Sequence, residues 1–561
     1  VMRLDRSLRV IRAFSEKEDW GTENTYAVFD PEPVEGNPAA DLIIKAIRAY
    51  GPIPGSALRY MVGAPLDVIE DVAQEYGAKI VTVGDGQTPM YIMADEEQNL
   101  NNVVEEEYPI RLLSLFDPDL GSKWAEIAAR YGDKWIYPLV KGSMIIGALE
   151  IWEMSGVIEI RSMDMDVPEM LPEVLSAIDH MMGFYNQKGI EIVRIREVLG
   201  TDVADIDDEK KAILEGSGYI MVNGFYAKGR FDPWTMTDEQ MLSYVFSKQR
   251  ISRTNKYPTV AECVATRGYI RGDQEVMTRV SEKTIMKKQM EKGYLVKMTL
   301  TPSYQGYTDF DHAYLFRAQK GYVPDEDGRT MYNLIMKQPI SKKQIIEQSP
   351  LSLERTTELF NEFNKMSLIY QDSESNYNIV EDRGMSQMDA TLEIAKMHFR
   401  DFGIFTAEDM SMFLSSRMSM TRKILKKLED EGYVRKGFFV KDDPTLRWMV
   451  AEDIGKPIRR GGESFILNSQ DNLNAYLRDI IKEQTGSTKS VIFANNKIIG
   501  SFVGKICGAG AKVDEFEGSD RASRMMKEAA QSVGMRLESQ RDRDDEDWDV
   551  SEFYTKVNTG A

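Results

Sequence analysis

Two stretches of the chain arrange short apolar runs around a polar turn in the same order. Residues 135–152 read WIYPLVKGSMIIGALEIW and residues 491–506 read VIFANNKIIGSFVGKI, each with an Ile-Ile-Gly triplet downstream of a lysine. Apolar runs of this length, separated by a polar or glycine-containing turn, are typical of a β-hairpin. The shared order predicts that the two stretches form equivalent hairpins in different parts of the chain.

The residues around the two hairpins also follow a common order. An aspartate precedes each hairpin at a similar distance, Asp117 in the first case and Asp471 in the second. After each hairpin, an amphipathic pattern predicts a helix, which a glycine ends before a short strand. We therefore expect a small αβ domain at 105–200, called αβ-1, and a second copy at 462–540, called αβ-2.

Three helical patterns and two strand patterns precede each αβ domain. Gly51 and Gly403 follow the first helix of the two units, and Tyr91 and Trp448 lie in their last strand. Such a unit is the winged-helix form of the helix-turn-helix. Two further candidates lie between the copies. The predicted winged-helix units are module A at 41–100, module B at 238–320, module C at 328–385 and module D at 388–455.

The sequence thus predicts an α+β, multi-domain fold with tandem winged-helix domains and a duplicated small αβ domain. A chain of 561 residues is too long for one hydrophobic core. The remaining segments are an N-terminal segment at 1–40, a connector with strand pieces at 201–237 and an acidic tail at 541–561. The first residue is valine rather than methionine, which is consistent with either a fragment of a longer chain or a processed chain.

The composition predicts a cytoplasmic protein that needs neither a metal nor another cofactor. Two cysteines cannot build a disulfide framework, and the three histidines are too widely separated to form a zinc site. No apolar run reaches the roughly 18 residues that span a bilayer, so we expect no membrane contact. The stretch GSFVGK lacks the spacing of a phosphate loop, so we expect no ATP hydrolysis by this chain.

The net charge of −20, with 90 acidic and 70 basic residues, means that DNA binding requires local basic patches. In a winged helix the third helix enters the major groove. The third helix of module D has a basic outer face, and its hairpin adds further cations. The predicted DNA-binding residues of module D are Arg422, Lys423, Lys426, Lys427, Arg435, Lys436 and Lys441. Those of module B are Lys283, Lys287 and Lys288, on a third helix that we expect Ser281 to cap.

Module A has the opposite charge pattern. Asp67, Glu70, Asp71 and Glu75 are predicted to point outward from its third helix, where they would repel phosphate. We therefore expect this module to contact protein or to serve as a scaffold. For modules B and D, the alternative is that the basic residues form an ordinary solvated surface.

The order of a winged helix, LLSLFDPDL, a helix and PLVKGSMIIGALEI resembles the C-terminal part of the winged-helix DNA glycosylases of the AlkZ kind. The match covers about residues 41–165 and, more weakly, 390–540. Related modules form the C-terminal region of archaeal long-helicase-related (Lhr-type) superfamily 2 helicases. The stretches EDEGYVRKGFFVKDDPTLRWMVAED and SFILNSQDNLNAYLRDII are similar to that group.

The resemblance implies a protein that binds duplex or single-stranded DNA in DNA repair or processing. It would be the non-motor C-terminal region of an Lhr-type helicase, with a motor domain upstream as partner, or a stand-alone relative. One alternative is a glycosylase that acts on damaged or crosslinked bases, and another is a winged-helix transcription regulator. The glycosylases use a Gln-x-Gln or Gln-x-Asp pair. GYIRGDQE places Arg271 and Asp273 in those positions, which implies Asp273 as the candidate catalytic residue.

Overall fold

The structure is a computed structural model, and it describes most of the predicted domains. The described residues are 10–13, 25–28, 37–82, 88–100, 108–114, 124–132, 136–142, 144–154, 156–251, 255–301, 304–458, 463–508 and 510–533. Asp117, the expected tail at 541–561 and most of the segment at 1–40 lie outside these ranges. No described helix is long and apolar enough to cross a lipid bilayer.

The chain divides into an N-terminal body, Val1–Phe231, and a C-terminal body, Asp232–Ala561. Both bodies combine helices with several sheets, which confirms the predicted α+β class. The N-terminal body starts with the antiparallel strands β1 (Val10–Ala13) and β2 (Thr25–Val28). Module A follows with α1 (Pro38–Tyr50), β3 (Ile53–Pro54), α2 (Gly55–Val62), α3 (Leu66–Glu75), β4 (Ala78–Val81), β5 (Met90–Met93) and α4 (Glu97–Leu100).

The αβ-1 domain is built on a seven-stranded sheet with the order β13-β14-β10-β9-β8-β7-β6. Its elements are β6 (Ile110–Leu112), α5 (Trp124–Tyr131), β7 (Ile136–Lys141), β8 (Met144–Met154), β9 (Val157–Met165), α6 (Leu171–Gln187), β10 (Ile192–Ile195) and β11 (Glu197–Val198). The connector contains β12 (Thr201–Asp202), α7 (Asp208–Gly216), β13 (Ile220–Val222) and β14 (Phe225–Gly229). The strand pieces expected in the connector at 201–237 therefore extend this sheet. They do so because the buried residues of β14 pair with β10.

Modules B and C share a four-stranded sheet with the order β16-β15-β17-β18. The elements of this region are α8 (Asp238–Lys248), α9 (Val260–Arg267), α10 (Asp273–Arg279), α11 (Met286–Met290), β15 (Leu295–Thr301), β16 (Tyr304–Asp309), α12 (Phe310–Lys320), α13 (Glu326–Lys337), α14 (Lys342–Gln348), α15 (Leu353–Lys365), β17 (Ile369–Gln371) and β18 (Tyr377–Ile379). The third helix of module B is shorter than the sequence suggested. Ser281 does not cap it, because the helix begins at Met286 and Ile285 is the residue at its N-cap position.

Module D and αβ-2 complete the C-terminal body. Module D contains α16 (Gln387–Phe402), β19 (Ile404–Phe405), α17 (Ala407–Leu414), α18 (Met418–Asp430), β20 (Val434–Gly437) and β21 (Arg447–Val450). The αβ-2 domain contains β22 (Ser464–Leu467), α19 (Asn472–Tyr476), α20 (Arg478–Thr485), β23 (Ser490–Ala494), β24 (Lys497–Cys507), β25 (Gly510–Gly518) and α21 (Asp520–Ser532). Since GSFVGK lies inside β24, it has no strand-to-helix loop in which to bind a phosphate.

Modules A and D have the same sheet connectivity. In both modules the last strand lies in the middle of the sheet. It pairs on one side with the strand after the first helix and on the other side with the strand after the third helix. The strand orders are β3-β5-β4 in module A and β19-β21-β20 in module D. In module A, Ile53 pairs with Tyr91, and in module D, Phe405 pairs with Trp448. The predicted equivalence of Tyr91 and Trp448 therefore holds in the strand register.

The two hairpins of the αβ domains share their register. In the first hairpin, Leu139 pairs with Gly147, and the register then shifts by one residue. In the second, Ile492 pairs with Gly500, followed by the same shift. The middle isoleucine of each Ile-Ile-Gly triplet is the extra residue of a β-bulge. The triplets thus occupy equivalent positions, as the sequence predicted.

The surroundings of the two bulges agree as well. The Ile146 carbonyl accepts a hydrogen bond from the Asp166 amide at 2.8 Å, and the Ile499 carbonyl accepts one from the Ser519 amide at 3.0 Å. A second register shift follows three residues after the triplet glycine in both sheets. These shared irregularities support our proposal that the domain pair arose by duplication, since bulges are specific features of a fold.

Candidate nucleic-acid interface

Helix α18 of module D separates its apolar and basic residues on opposite faces. Ile424, Leu425 and Leu428 are fully buried in the module. The exposed residues of the same helix include Arg422, Lys423, Lys426 and Lys427. The spacing of these cations places them on one stripe of the helix, because each residue advances the helix by about 100°. The structure therefore brings the four predicted cations together on a solvent-facing surface, which we call the α18 face.

Two ion pairs of the α18 face are weak surface contacts. Lys426 Nζ lies 3.3 Å from Asp430, and Lys427 Nζ lies 3.4 Å from Asp389. All four of these side chains are about half exposed, and pairs of this kind contribute roughly 0–1 kcal/mol. A phosphate can therefore replace these two acidic partners at little cost.

The hairpin of module D presents only part of the predicted basic surface. Arg435 and Lys441 are exposed, but Lys436 is 7% exposed and its Nζ lies 3.6 Å from Glu429. Our expectation that Lys436 lies on the surface was therefore wrong. The reason is strand geometry, because neighbouring side chains of a β-strand point to opposite faces. Since Arg435 points outward, Lys436 must point inward.

The segment before α8 lies along this hairpin. The Asp232 amide donates to the Lys436 carbonyl and the Met236 amide donates to the Phe439 carbonyl, both at 2.8 Å. The Lys441 amide in turn donates to the Met236 carbonyl at 2.8 Å. The hairpin is thus held by backbone contacts on one edge, which fixes the positions of the exposed cations.

The predicted cations of module B are exposed, but they do not share one helix face. Lys287 and Lys288 lie on the short helix α11, whereas Lys283 lies in the irregular segment before it. In module A, the acidic residues of α3 are exposed as expected, at Asp67, Glu70, Asp71 and Glu75. Among the third helices of modules A, B and D, the α18 face is therefore the longest basic surface.

Asp273 lies at the start of α10, where its carboxylate contacts the next helix. Its Oδ1 accepts a hydrogen bond from the Met286 amide at 2.6 Å, which caps the N-terminus of α11. Burial raises the pKa of Asp273 above its ordinary value. Arg271, in the other position implied by the glycosylase resemblance, has its Nη1 3.5 Å from Asn472 Oδ1. The structure thus places a half-buried carboxylate near αβ-2, and its catalytic role stays a prediction.

A buried ionic network in the C-terminal body was not anticipated from the sequence. Arg267 donates to both carboxylate oxygens of Asp401 at 2.7 Å and to Glu275 at 3.1 Å. Arg279 donates to both oxygens of Asp471 at 2.6 Å. All five side chains are at most 2% exposed. The network links modules B and D with αβ-2, and it fixes these parts of the body relative to one another.

Opposite charges in the network keep one another ionised despite their burial. Burial alone would lower the pKa of Arg267, but Asp401 and Glu275 outweigh it and raise that pKa well above the ordinary value. Burial alone would raise the pKa of Glu275, but Arg267 and Arg279 hold it well below its ordinary range. The groups therefore remain charged together. No group of three His, Cys, Asp or Glu side chains in the described ranges is placed to hold a metal ion.

No protein-family model matches the chain. No curated protein matches it either. Among solved structures, the chain is similar to the DNA glycosylase AlkZ of Streptomyces sahachiroi, with 11% identity and a TM-score of 0.41, over 54% of this chain and 97% of that chain. A similarity at this level does not assign a family to the chain.

Proposed function

We propose that the chain is a DNA-binding protein that acts in DNA repair or processing and that it contacts DNA through the α18 face. The proposal includes the interpretation of modules A to D as winged helices, of which module D carries the reading helix. The observation that supports it is the exposed row of four cations, Arg422, Lys423, Lys426 and Lys427, on the third helix of that module.

The physical basis of the proposal is counterion release. The chain carries a net charge of −20, so an ordered row of cations stands out against an acidic background. Each phosphate that a cation neutralises releases condensed counterions, which provides most of the affinity of a nonspecific contact. The carboxylates that pair with Lys426 and Lys427 are exposed and can be replaced by phosphate.

The experiment replaces Lys423, Lys426 and Lys427 by glutamate and measures binding to a fluorescent duplex by anisotropy. We expect an affinity loss of at least about tenfold, or about 1.4 kcal/mol. The matched control carries the same charge change on three exposed lysines of module C, Lys337, Lys342 and Lys343. The proposal is overturned if the α18 variant binds the duplex as tightly as the parent. It is also overturned if the module C control loses as much affinity as the α18 variant does.

A base-excising activity is the second candidate, and it rests on Asp273. A half-buried carboxylate with a raised pKa is suited to orient a water or to move a proton. The test compares the chain with Asp273→Asn on duplexes that carry alkylated or crosslinked bases, with abasic-site formation as the readout. Asparagine retains an oxygen that can accept the Met286 amide, so α11 keeps its cap. Equal activity of the two proteins, or none in either, excludes this role for Asp273.

The assignment to the accessory region of an Lhr-type helicase is part of the same proposal. It predicts that the chain binds DNA without hydrolysing ATP, because GSFVGK lies in a strand pair and lacks the phosphate-loop spacing. Measurable DNA-stimulated ATP hydrolysis by the pure chain would contradict this assignment. A transcription regulator would instead show strong preference for one operator sequence in a binding selection.

A further inference from the structure

Three arginines surround one buried carboxylate on the αβ-1 sheet. Glu159 on β9 accepts hydrogen bonds from Arg161 Nε at 3.0 Å, Arg194 Nε at 2.6 Å and Arg196 Nε at 3.1 Å. Glu159 pairs in register with Trp152 on β8 on one side and with Arg194 on β10 on the other. The strand pairing therefore places the carboxylate, the arginines and the indole on one face of the sheet.

The cluster has more positive than negative charge. Burial alone would raise the pKa of Glu159, but Arg194 and Arg196 outweigh it and hold that pKa below its ordinary value. Arg194 is 5% exposed and stays with Glu159, whereas Arg161 and Arg196 are 39% and 40% exposed. The two outer guanidinium groups can therefore bind an incoming anion while Arg194 keeps the buried carboxylate paired.

Trp152 adds an aromatic surface to this cluster. Its side chain is 38% exposed, which is a large exposure for tryptophan in a strand. The guanidinium carbon of Arg161 lies 4.4 Å from the centre of the indole ring. The indole Nε1 donates to Glu150 at 2.9 Å, which fixes the orientation of the ring. The indole and the Arg161 guanidinium thus form a rigid, partly exposed stacking surface. The exposed guanidinium of Arg196 lies on the same face of the sheet.

We propose that Trp152, Arg161 and Arg196 form a binding site for single-stranded nucleic acid. A base stacks on the exposed part of the indole, and the adjacent phosphates bind the two outer guanidinium groups. Single strands are bound by this combination of aromatic rings and cations, because every base offers a π-face. An acidic peptide would satisfy the arginines but would give the indole no matching ring system.

The site shares its ligand class with the proposed function but uses other residues, in the N-terminal body. Each can therefore fail alone. The experiment uses the full chain and a fluorescent oligothymidylate of about 15 nucleotides, which is long enough to include a stacked base and its neighbouring phosphates. Binding is measured by anisotropy over a range of salt concentrations, and a duplex is measured in parallel.

The stacking and charge contributions have different signatures. Trp152→Ala should weaken oligothymidylate binding by at least about fivefold without changing its salt dependence. Trp152→Phe should recover part of that loss, because a phenyl ring still stacks. Arg161→Gln should lower the slope of log affinity against log salt by about 0.7, the value for one contact to a single strand.

The matched control is Arg383→Gln in the C-terminal body. Arg383 is also 39% exposed, bonds Glu381 at 2.8 Å and lies 4.4 Å from the Tyr314 ring centre. We expect this control to bind oligothymidylate as the parent does. The site is overturned if Trp152→Ala binds oligothymidylate as tightly as the parent. It is also overturned if Arg383→Gln weakens that binding as much as Arg161→Gln does. If the α18 variant keeps parental duplex affinity while Trp152→Ala weakens oligothymidylate binding, the proposed function fails and this site stands.

Discussion

Arg279 and Asp471 face each other inside the C-terminal body through two parallel hydrogen bonds of 2.6 Å. Both side chains are fully buried. Arg279 ends α10 in module B, and Asp471 precedes α19 of αβ-2 and also caps that helix by accepting the Leu473 amide at 2.9 Å. One carboxylate therefore fixes a helix start and holds two domains together.

The first prediction concerns this pair. Asp471→Asn leaves the Arg279 guanidinium buried without its full counter-charge, so we expect a loss of about 3–5 kcal/mol in the free energy of unfolding of the C-terminal body. Urea unfolding followed by tryptophan fluorescence measures the change. The control is Glu347→Gln, which breaks the exposed Lys343–Glu347 pair at 3.7 Å and should cost less than about 1 kcal/mol. Equal losses for the two substitutions would show that the buried pair contributes no more to the free energy of unfolding than the exposed pair does.

The second prediction concerns the glycine of the repeated triplet. An added Cβ at Gly500 would lie 2.8 Å from the Ala522 Cβ and 3.1 Å from the Glu517 carbonyl oxygen. We expect Gly500→Ala to lower stability by about 1–3 kcal/mol, because the αβ-2 core would be overpacked. Gly183 in α6 has open space around its Cβ position. Gly183→Ala should therefore raise stability, by about 0.5–1 kcal/mol. Thermal unfolding checks both signs, and a stabilised Gly500→Ala would contradict the close approach.

The third prediction concerns pH. His398 is buried among aromatic rings, with its Nδ1 3.3 Å from the Tyr269 hydroxyl, and burial lowers its pKa to about 4. The ordinary value in an unfolded chain is about 6.5. The neutral ring therefore contributes stability that is complete above the unfolded pKa and is lost as the pH falls toward the folded one.

Between pH 7 and pH 5, His398 should account for a loss of about 2 kcal/mol in the free energy of unfolding. His398→Phe keeps an aromatic ring against Phe413 but removes the titrating group, so its stability should fall less over this interval. Urea unfolding at the two pH values measures the difference. An identical loss in parent and variant would mean that His398 does not titrate on unfolding.

The fourth prediction separates the two lysines of the module D hairpin. Lys436→Met should leave DNA affinity unchanged, because the side chain is buried against Glu429, and it should lower stability. Lys441→Met, at an exposed position, should lower the salt slope of duplex binding by about 0.9 with little effect on stability. Anisotropy titrations and thermal unfolding of both variants test this. A loss of DNA affinity in Lys436→Met at full stability would contradict the burial.

Sequence patterns were sufficient where short-range periodicity determines the structure. The period of α18 identified Ile424 and Leu428 as buried, and the common order of residues identified the equivalent hairpins. Strand alternation could also have identified Lys436 as internal, because it lies two residues after the apolar Val434 and so shares its face of the strand. That signal was present in the sequence but was outweighed by the local density of basic residues.

Long-range pairing left no local signal. Arg267 and Asp401 are 134 residues apart, and Arg279 and Asp471 are 192 residues apart. Their neighbours in the sequence do not mark them as buried partners, and charged residues are rarely buried without one. The Glu159 cluster depends in the same way on the order of strands in the αβ-1 sheet, which periodicity does not determine.

The salt dependence of duplex binding tests the central claim most directly. If the α18 face neutralises phosphates, log affinity should fall linearly with log salt, by about 0.9 for each contact. In the variant with glutamate at Lys423, Lys426 and Lys427, that slope should decrease by up to about 2.7. The module C control, with the same change of charge, should keep the parental slope. A variant with glutamate on the α18 face whose slope equals that of the parent would show that this surface does not contact DNA.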